Sequence, residues 1–124
     1  MTSSRARIGR IGETLAARHL TRAGYEIIAR NWRYAEGPVR GEVDLICRDG
    51  ATVVFCEVKT RRRAAAADPT ESVDARKMAR LRRLAAAWLA TARPGGAAVR
   101  FDVVAVSWPP EGGAARIVHL RDVG

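Results

Sequence analysis

Three ionisable residues stand where two apolar strands would normally carry valine or isoleucine. Asp44 lies in Gly41-Glu42-Val43-Asp44-Leu45-Ile46, and Glu57 and Lys59 lie in Val53-Val54-Phe55-Cys56-Glu57-Val58-Lys59-Thr60-Arg61. A charge buried in a sheet is costly unless it is paired or binds a metal. An acidic pair with a lysine two residues beyond the second carboxylate is what a metal-dependent phosphodiesterase needs.

The two strands are joined by Asp49-Gly50, the strongest short hairpin signal in the chain. With that dipeptide as a two-residue loop, Arg48 faces Ala51, Asp44 faces Phe55 and Glu42 faces Glu57. Asp44 and Glu57 then become diagonal neighbours on one face, about 7 Å apart at the backbone. Lys59 points to the same face as Glu57. A one-residue slip would put Asp44 and Glu57 on opposite faces. The same register sets Cys47 opposite Thr52 and Cys56 opposite Val43, roughly 13 Å apart along the ladder, too far for a disulfide. The bland alternative is a surface salt-bridge cluster, which contributes little. Against it, Val53 and Phe55 fill one face of the second strand and Val54, Cys56 and Val58 the other. A strand covered on both sides needs a reason to carry charge, and buried titratable clusters mark sites.

Two more residues can join this group. Glu13 projects at the rim of an apolar helical arc formed by Ile8, Ile11, Leu15, Ala16 and Leu20, from which it could dip toward the sheet. Lys77 sits within a stripe made by Val73, Leu81, Leu84 and Trp88, where a lysine must snorkel or find an anion.

The elements that must position these groups follow from periodicity and punctuation. A helix is expected from about Arg5 to Ala23, with Gly24 as its stop; Gly9 and Gly12 weaken it but allow close helix–sheet contact. A strand covers Tyr25 to Arg33, a loop with Gly37-Pro38 covers Tyr34 to Arg40, and strands cover Val43 to Arg48 and Thr52 to Thr60. A basic, then Ala-rich loop runs from Arg61 to Asp68. Pro69 suits a first helical turn, and a second helix spans Ser72 to Thr91. Val99 to Trp108 is a strand, Pro109 to Gly113 a turn, and Ala115 to Leu120 a short edge strand. The fold class is α/β: order α-β-β-β-α-β with a short extra C-terminal strand, a mixed central sheet flanked by helices, and one domain over 1–124.

Composition narrows the function classes. A chain of 124 residues with 48% apolar content can bury a core. No apolar run approaches the roughly 20 residues that span a bilayer, and no secretory core follows the basic N-terminus, so the expected compartment is the cytoplasm, with no membrane partner. Net charge is +9 and the pI about 11.1, the footprint of a protein that meets phosphate backbones, although a generally Arg-rich proteome would give the same total. Cys47, Cys56, His19 and His119 are too few and too scattered for a zinc site. Both cysteines read as small core residues.

Taken together, Gly12-Glu13, Ala16, Leu20, Gly24-Tyr25, Arg30-Asn31-Trp32-Arg33, Gly41 to Ile46, Glu57-Val58-Lys59-Thr60-Arg61, Lys77 and Arg100-Phe101-Asp102-Val103-Val104 resemble the small bacterial YraN-like proteins. That family is similar to archaeal Holliday-junction resolvases, in the restriction-endonuclease-like fold with its PD-(D/E)xK active site. The resemblance runs from about Gly9 to Val106. It implies a metal-dependent endonuclease acting on DNA rather than RNA, on branched or junction DNA in particular, with Glu13, Asp44, Glu57, Lys59 and Lys77 as catalytic residues. It departs from the pattern in three places: a long Tyr34–Arg40 loop, no proline before Asp44, and alanines rather than a glycine in the loop Arg62 to Asp68.

In the mechanism this implies, Asp44, Glu57 and the Val58 carbonyl hold Mg2+ or Mn2+, with Glu13 binding directly, through water or to a second ion. Lys59 orients or helps deprotonate the attacking water and stabilises the transition state. Arg30, Arg33, Arg61, Arg62 and Arg63 grip the nucleic-acid backbone. Resolvase-like relatives cut as dimers, so a C2 homodimer is expected. Two other classes stay open: a nucleic-acid-binding accessory module with weak or no catalysis, and a basic interaction protein with a structural metal site.

Overall fold

A computed structural model describes residues 4–61, 73–92, 95–109 and 111–124. The element order is α1 (Ser4–Arg22), β1 (Glu26–Glu36), β2 (Val39–Asp49), β3 (Thr52–Arg61), α2 (Ala75–Ala92), β4 (Ala98–Ser107) and β5 (Arg116–Leu120). The five strands form one mixed sheet in the order β1-β2-β3-β4-β5. Only β3 and β4 run parallel. A parallel neighbour needs a crossover, and α2 lies in that connection. The expected α/β order, with its short edge strand last, is the observed one.

The central strand β3 is covered on both faces, as its composition requires. Val54 and Cys56 join Ala16, Ala17 and Leu20 of α1 in one cluster. Val53 and Phe55 join Met78, Leu81, Leu84 and Ala85 of α2 in the other. Phe55, fully buried, meets Trp88 edge-on and stacks on Phe101. Burying one such side chain stabilises by roughly 1.5–3 kcal/mol. α1 approaches β3 through Gly12: a Cβ there would collide with the Thr60 side chain, whereas Gly9 meets nothing. Close helix–sheet contact therefore belongs to Gly12 alone. α1 closes at Gly24, whose φ of 95° favours glycine, and the Tyr25 N–H donates to the Leu20 carbonyl at 2.9 Å.

Several local expectations are corrected. Tyr34 to Arg40 is not a loop. Gly37 and Pro38 are themselves the two-residue turn of a β1–β2 hairpin that pairs Glu36 with Val39 and Tyr34 with Gly41. Tyr34 and Val39 pack against the α2-side cluster, which carries both strands outward. The β2–β3 loop is Gly50-Ala51 rather than Asp49-Gly50, because Asp49 pairs with Thr52 and stays in its strand. Its carboxylate is held there by Arg100 at 3.0 Å and Arg121 at 3.2 Å, and Gly50 takes the left-handed position with φ 59°. The register is thereby shifted by two residues, which preserves the facing of the residues in this ladder. Cys47 now pairs with Val54 and Cys56 with Leu45. The cysteines are diagonal neighbours, closer than expected, and both are free and buried. Ile11 is 43% exposed rather than in the core. α2 begins after Asp74, which accepts the Arg76 and Lys77 N–H groups at 2.9 and 3.2 Å as an N-cap; Val73 therefore precedes the helix. Arg61 ends β3; the rest of the expected loop (62–68), Pro69 and Ser72 lie outside the described residues. Among the described residues no helix is long and apolar enough to cross a membrane.

One irregularity governs the rest. A regular strand keeps residues i and i+2 on one face. Leu45 lies in the α1-side cluster, yet Val43 lies in the α2-side cluster. Across the ladder, Arg30 pairs with Leu45 and bonds to Thr14 of α1, whereas Trp32 pairs with Val43 and packs with the α2-side residues. The hairpin thus turns over between these pairs, at Asn31 and Asp44. Asn31 carries the turnover with φ 53°, a left-handed conformation that asparagine tolerates better than most residues. Asn31→Val should lower the unfolding free energy by about 1–2 kcal/mol, and Asn31→Gly by much less. Denaturant melts of the three proteins decide this; a valine variant as stable as the wild type would remove Asn31 from this role.

Candidate functional site

The turnover explains how the carboxylates meet. The β2–β3 ladder runs from Asp49↔Thr52 to Leu45↔Cys56. Beyond Leu45, β2 pairs only with β1, so a gap opens between β2 and β3. Asp44 sits at its mouth and accepts the Val58 N–H at 2.8 Å. Its side chain replaces the next rung of the ladder. Because the strand turns over here, Glu42 emerges on the α1 side together with Arg33, its ion-pair partner at 3.2 Å. Glu13 reaches the same place from α1. Carboxylate oxygens of Glu13, Glu42 and Asp44 lie within 4.8 Å of one another.

Glu57 and Lys59 occupy the α2 face of β3, alternating with Val58 and Thr60 on the α1 face. A cleft of about 330 Å3 opens there, lined by Glu42, Asp44, Glu57, Lys77, Arg80 and Leu84 among others. Its wall is close: a Cβ on Gly41, whose φ is 149°, would stand 3.1 Å from Leu84. Burial pushes the Asp44 carboxyl up to about 7, opposed by the Val58 N–H and reinforced by Glu13, Glu57 and Glu42 in that order. The Lys77 amine beside it, first of all, and then burial hold the Lys59 amine below the ordinary lysine range.

Of the residues expected at the site, Glu13, Asp44, Glu57, Lys59, Lys77 and Val58 all converge on this opening. Their arrangement differs from a simple Asp44–Glu57 pair: among the described residues the tight carboxylate group is Glu13, Glu42 and Asp44, and Glu57 stands on the cleft side, near enough to Asp44 to raise its pKa. Val58 meets Asp44 through its N–H. Of the expected backbone-gripping arginines, Arg30 lies against α1, Arg33 is tied to Glu42, and the Arg61 carbonyl accepts the Trp108 N–H. Arg62 and Arg63 lie outside the described residues.

Sequence reasoning missed two features. Glu42 was set opposite Glu57, because the turnover cannot be read from a pattern in which Val43 and Leu45 are equally apolar. The second is a buried polar centre on β4. Asp102 is fully buried. It accepts from Arg100 Nε at 2.9 Å and Nη2 at 3.0 Å, and from the Asp122 N–H at 3.0 Å, and it meets His119 Nε2 at 2.7 Å. Burial pushes its carboxyl up, but the bonds from His119, Arg100 and Asp122 outweigh burial and leave it below the usual carboxylate range. Arg100 also bonds to the Tyr25 hydroxyl and to Asp49. Alternating charge in Arg100-Phe101-Asp102, inside an apolar strand, was the signal. Burial raises both thiols, Cys47 to about 12 and Cys56 well above its ordinary value, which leaves them inert as core residues.

The chain belongs to UPF0102, an uncharacterised protein family whose model matches residues 12–106. It is 53% identical to a UPF0102 protein of Frankia alni over 114 residues, covering 92% of this chain and 91% of the relative. It is 51% identical to one of Beutenbergia cavernae over 117 residues, covering 94% and 95%. It is 48% identical to one of Streptomyces coelicolor over 124 residues, covering 98% and 91%. The matched span contains Glu13, Glu42, Asp44, Glu57, Lys59 and Lys77.

Electrostatic repulsion in the carboxylate group has a measurable sign. A carboxyl whose folded pKa is raised, here to about 7 from 3.8, contributes stability that is present at low pH and lost as pH rises through the folded value. In EDTA, the melting temperature should therefore fall between about pH 5 and 8. Asp44→Asn should flatten that slope, and Mg2+ or Mn2+ should raise the wild-type value at pH 8. Equal slopes in wild type and Asp44→Asn would refute the assignment.

Proposed function

We propose that this protein is a metal-dependent endonuclease that hydrolyses phosphodiester bonds in DNA, with branched or junction DNA as its preferred class. The observation that carries the reading is the meeting of Glu13, Glu42 and Asp44 within 4.8 Å, at the edge of a cleft that also holds Glu57 and Lys77. Three self-repelling carboxylates are a hard-oxygen donor set, which suits Mg2+ or Mn2+. Asp44, Glu13, Glu42 and Glu57 would hold the ion, with the Val58 carbonyl as the expected backbone ligand. When bound, such an ion polarises the scissile phosphate and lowers the pKa of water.

The remaining chemistry falls to side chains of this chain. Lys59, lowered by Lys77, takes a proton from the attacking water as a neutral amine, or bonds to the phosphoryl oxygen as an ammonium. The water oxygen forms the new bond to phosphorus while the bond to the leaving oxygen breaks, and the leaving oxygen takes a proton. The products are a phosphate monoester and a free hydroxyl. Lys77 and Arg80 supply positive charge to the cleft wall, where they favour phosphate entry. The high pI supports a nucleic-acid substrate.

A second reading is a nucleic-acid-binding module without turnover. It is favoured by the position of Glu57 outside the tightest carboxylate group. Cleavage of a panel of junction, flap, single-stranded and duplex DNA, with RNA beside it, separates the two. Cleavage should need Mn2+ or Mg2+ and fall at least about 100-fold in Asp44→Asn and Glu57→Gln. Lys59→Ala should abolish turnover yet retain Mn2+ binding by paramagnetic resonance. Cleavage that survives Asp44→Asn would sink the proposal, and binding without cleavage would favour the accessory module.

A further inference from the structure

α1 contains five arginines and a single acid, Glu13, which turns toward the sheet. Arg7, Arg10 and Arg18 are exposed and share a shallow groove of about 270 Å3 with Ile11, Thr14 and Leu15. Helical periodicity puts Arg7, Ile11, Thr14 and Arg18 on one stripe, with Arg10 at its flank. Arg30 reaches the same stripe from β1 and donates to Thr14 Oγ1 at 3.2 Å. Among the described residues, none of Arg7, Arg10, Arg18 and Arg30 has a carboxylate partner.

Surface helices normally mix signs, and like charges three or four residues apart destabilise them. A helix that carries this repulsion with no acid on its outer face is arranged for an external anion. Arg7 and Arg18 are separated by about 16 Å along the axis, which spans roughly five phosphates of one duplex strand at about 3.4 Å of rise each. Repeating charge over that length fits a polymer better than a small anion. Glu13, on the flank of the same helix, ties the stripe to the carboxylate group.

We propose that the outer face of α1, with Arg7, Arg10 and Arg18 joined by Arg30, is a track for a nucleic-acid phosphodiester backbone that leads to the carboxylate opening. The inference rests on reading the protein as one that acts on nucleic acid, and its test fails separately from that of hydrolysis. Binding of labelled duplex DNA, single-stranded DNA and RNA is measured by anisotropy in EDTA from 50 to 200 mM salt. The triple variant Arg7→Gln, Arg10→Gln, Arg18→Gln should bind duplex at least about tenfold more weakly, with a log–log salt slope shallower by roughly 2–3. Arg10→Gln alone should reduce the slope by about 1, and the triple Arg→Lys variant should keep it. Arg116→Gln, an exposed arginine paired with Glu111, should leave binding unchanged. Circular dichroism confirms that each variant is folded.

An unchanged slope in the triple Gln variant would overturn the inference. So would loss of binding to phosphatidylserine vesicles with nucleic-acid binding intact, which would assign the stripe to a membrane surface. Stripe-dependent binding without cleavage would keep the track and sink the hydrolase. Cleavage indifferent to the stripe would do the reverse.

Discussion

The site depends on the break in alternation at Asn31 and Asp44. Without it, β2 would keep one face throughout, Val43 would point with Leu45, and Glu42 would lie away from Glu13. The break also coincides with the parting of β2 from β3 after Leu45. A sheet cannot leave the freed Val58 amide unpaired in a half-buried place without cost, and Asp44 supplies the missing acceptor. One carboxylate thus mends the ladder and anchors the acidic group. Helix α1 can reach the opening because Gly12 lets it sit against Thr60, and α2 can reach it because Gly41 leaves room for Leu84 and Arg80.

Much of this was legible in the residues. The continuous apolar character of β3 required cover on both faces, and the helices supply it. Charges at Asp44, Glu57 and Lys59 in such strands pointed to the opening, whereas the rim position of Glu13 was a weak signal that the family resemblance strengthened. The hairpin register was misjudged, yet the two-residue shift kept facing intact, since side-chain direction has a period of two. What could not be read is tertiary in origin. Asp49 stays in its strand because Arg100 and Arg121, distant in sequence, hold its carboxylate. The Tyr34–Arg40 segment becomes a hairpin because Tyr34 and Val39 find the α2-side cluster. Neither partner is visible to a local pattern.

The two buried acidic centres of the sheet resolve their desolvation in opposite ways. Asp102 is given donors until its charge is stabilised: two from Arg100, one from the Asp122 amide, and His119 alongside. It binds β4 to β5 and the C-terminal residues, and its lone pairs are taken. Asp44 receives one backbone donor and is surrounded by other carboxylates, so its charge is disfavoured. A purely structural acid in this position would be expected to look like Asp102. The chain contains enough arginine to neutralise Asp44, and Arg33 does pair with Glu42 nearby, yet among the described residues Asp44 has no such partner. An under-compensated acidic group beside two neighbouring lysines is stable only at a cost, and under the proposed function that cost would be relieved by a cation on one side and by phosphate oxygens on the other. This imbalance, more than any single residue, is what sets the opening between β2 and β3 apart from the rest of the fold as a place for chemistry.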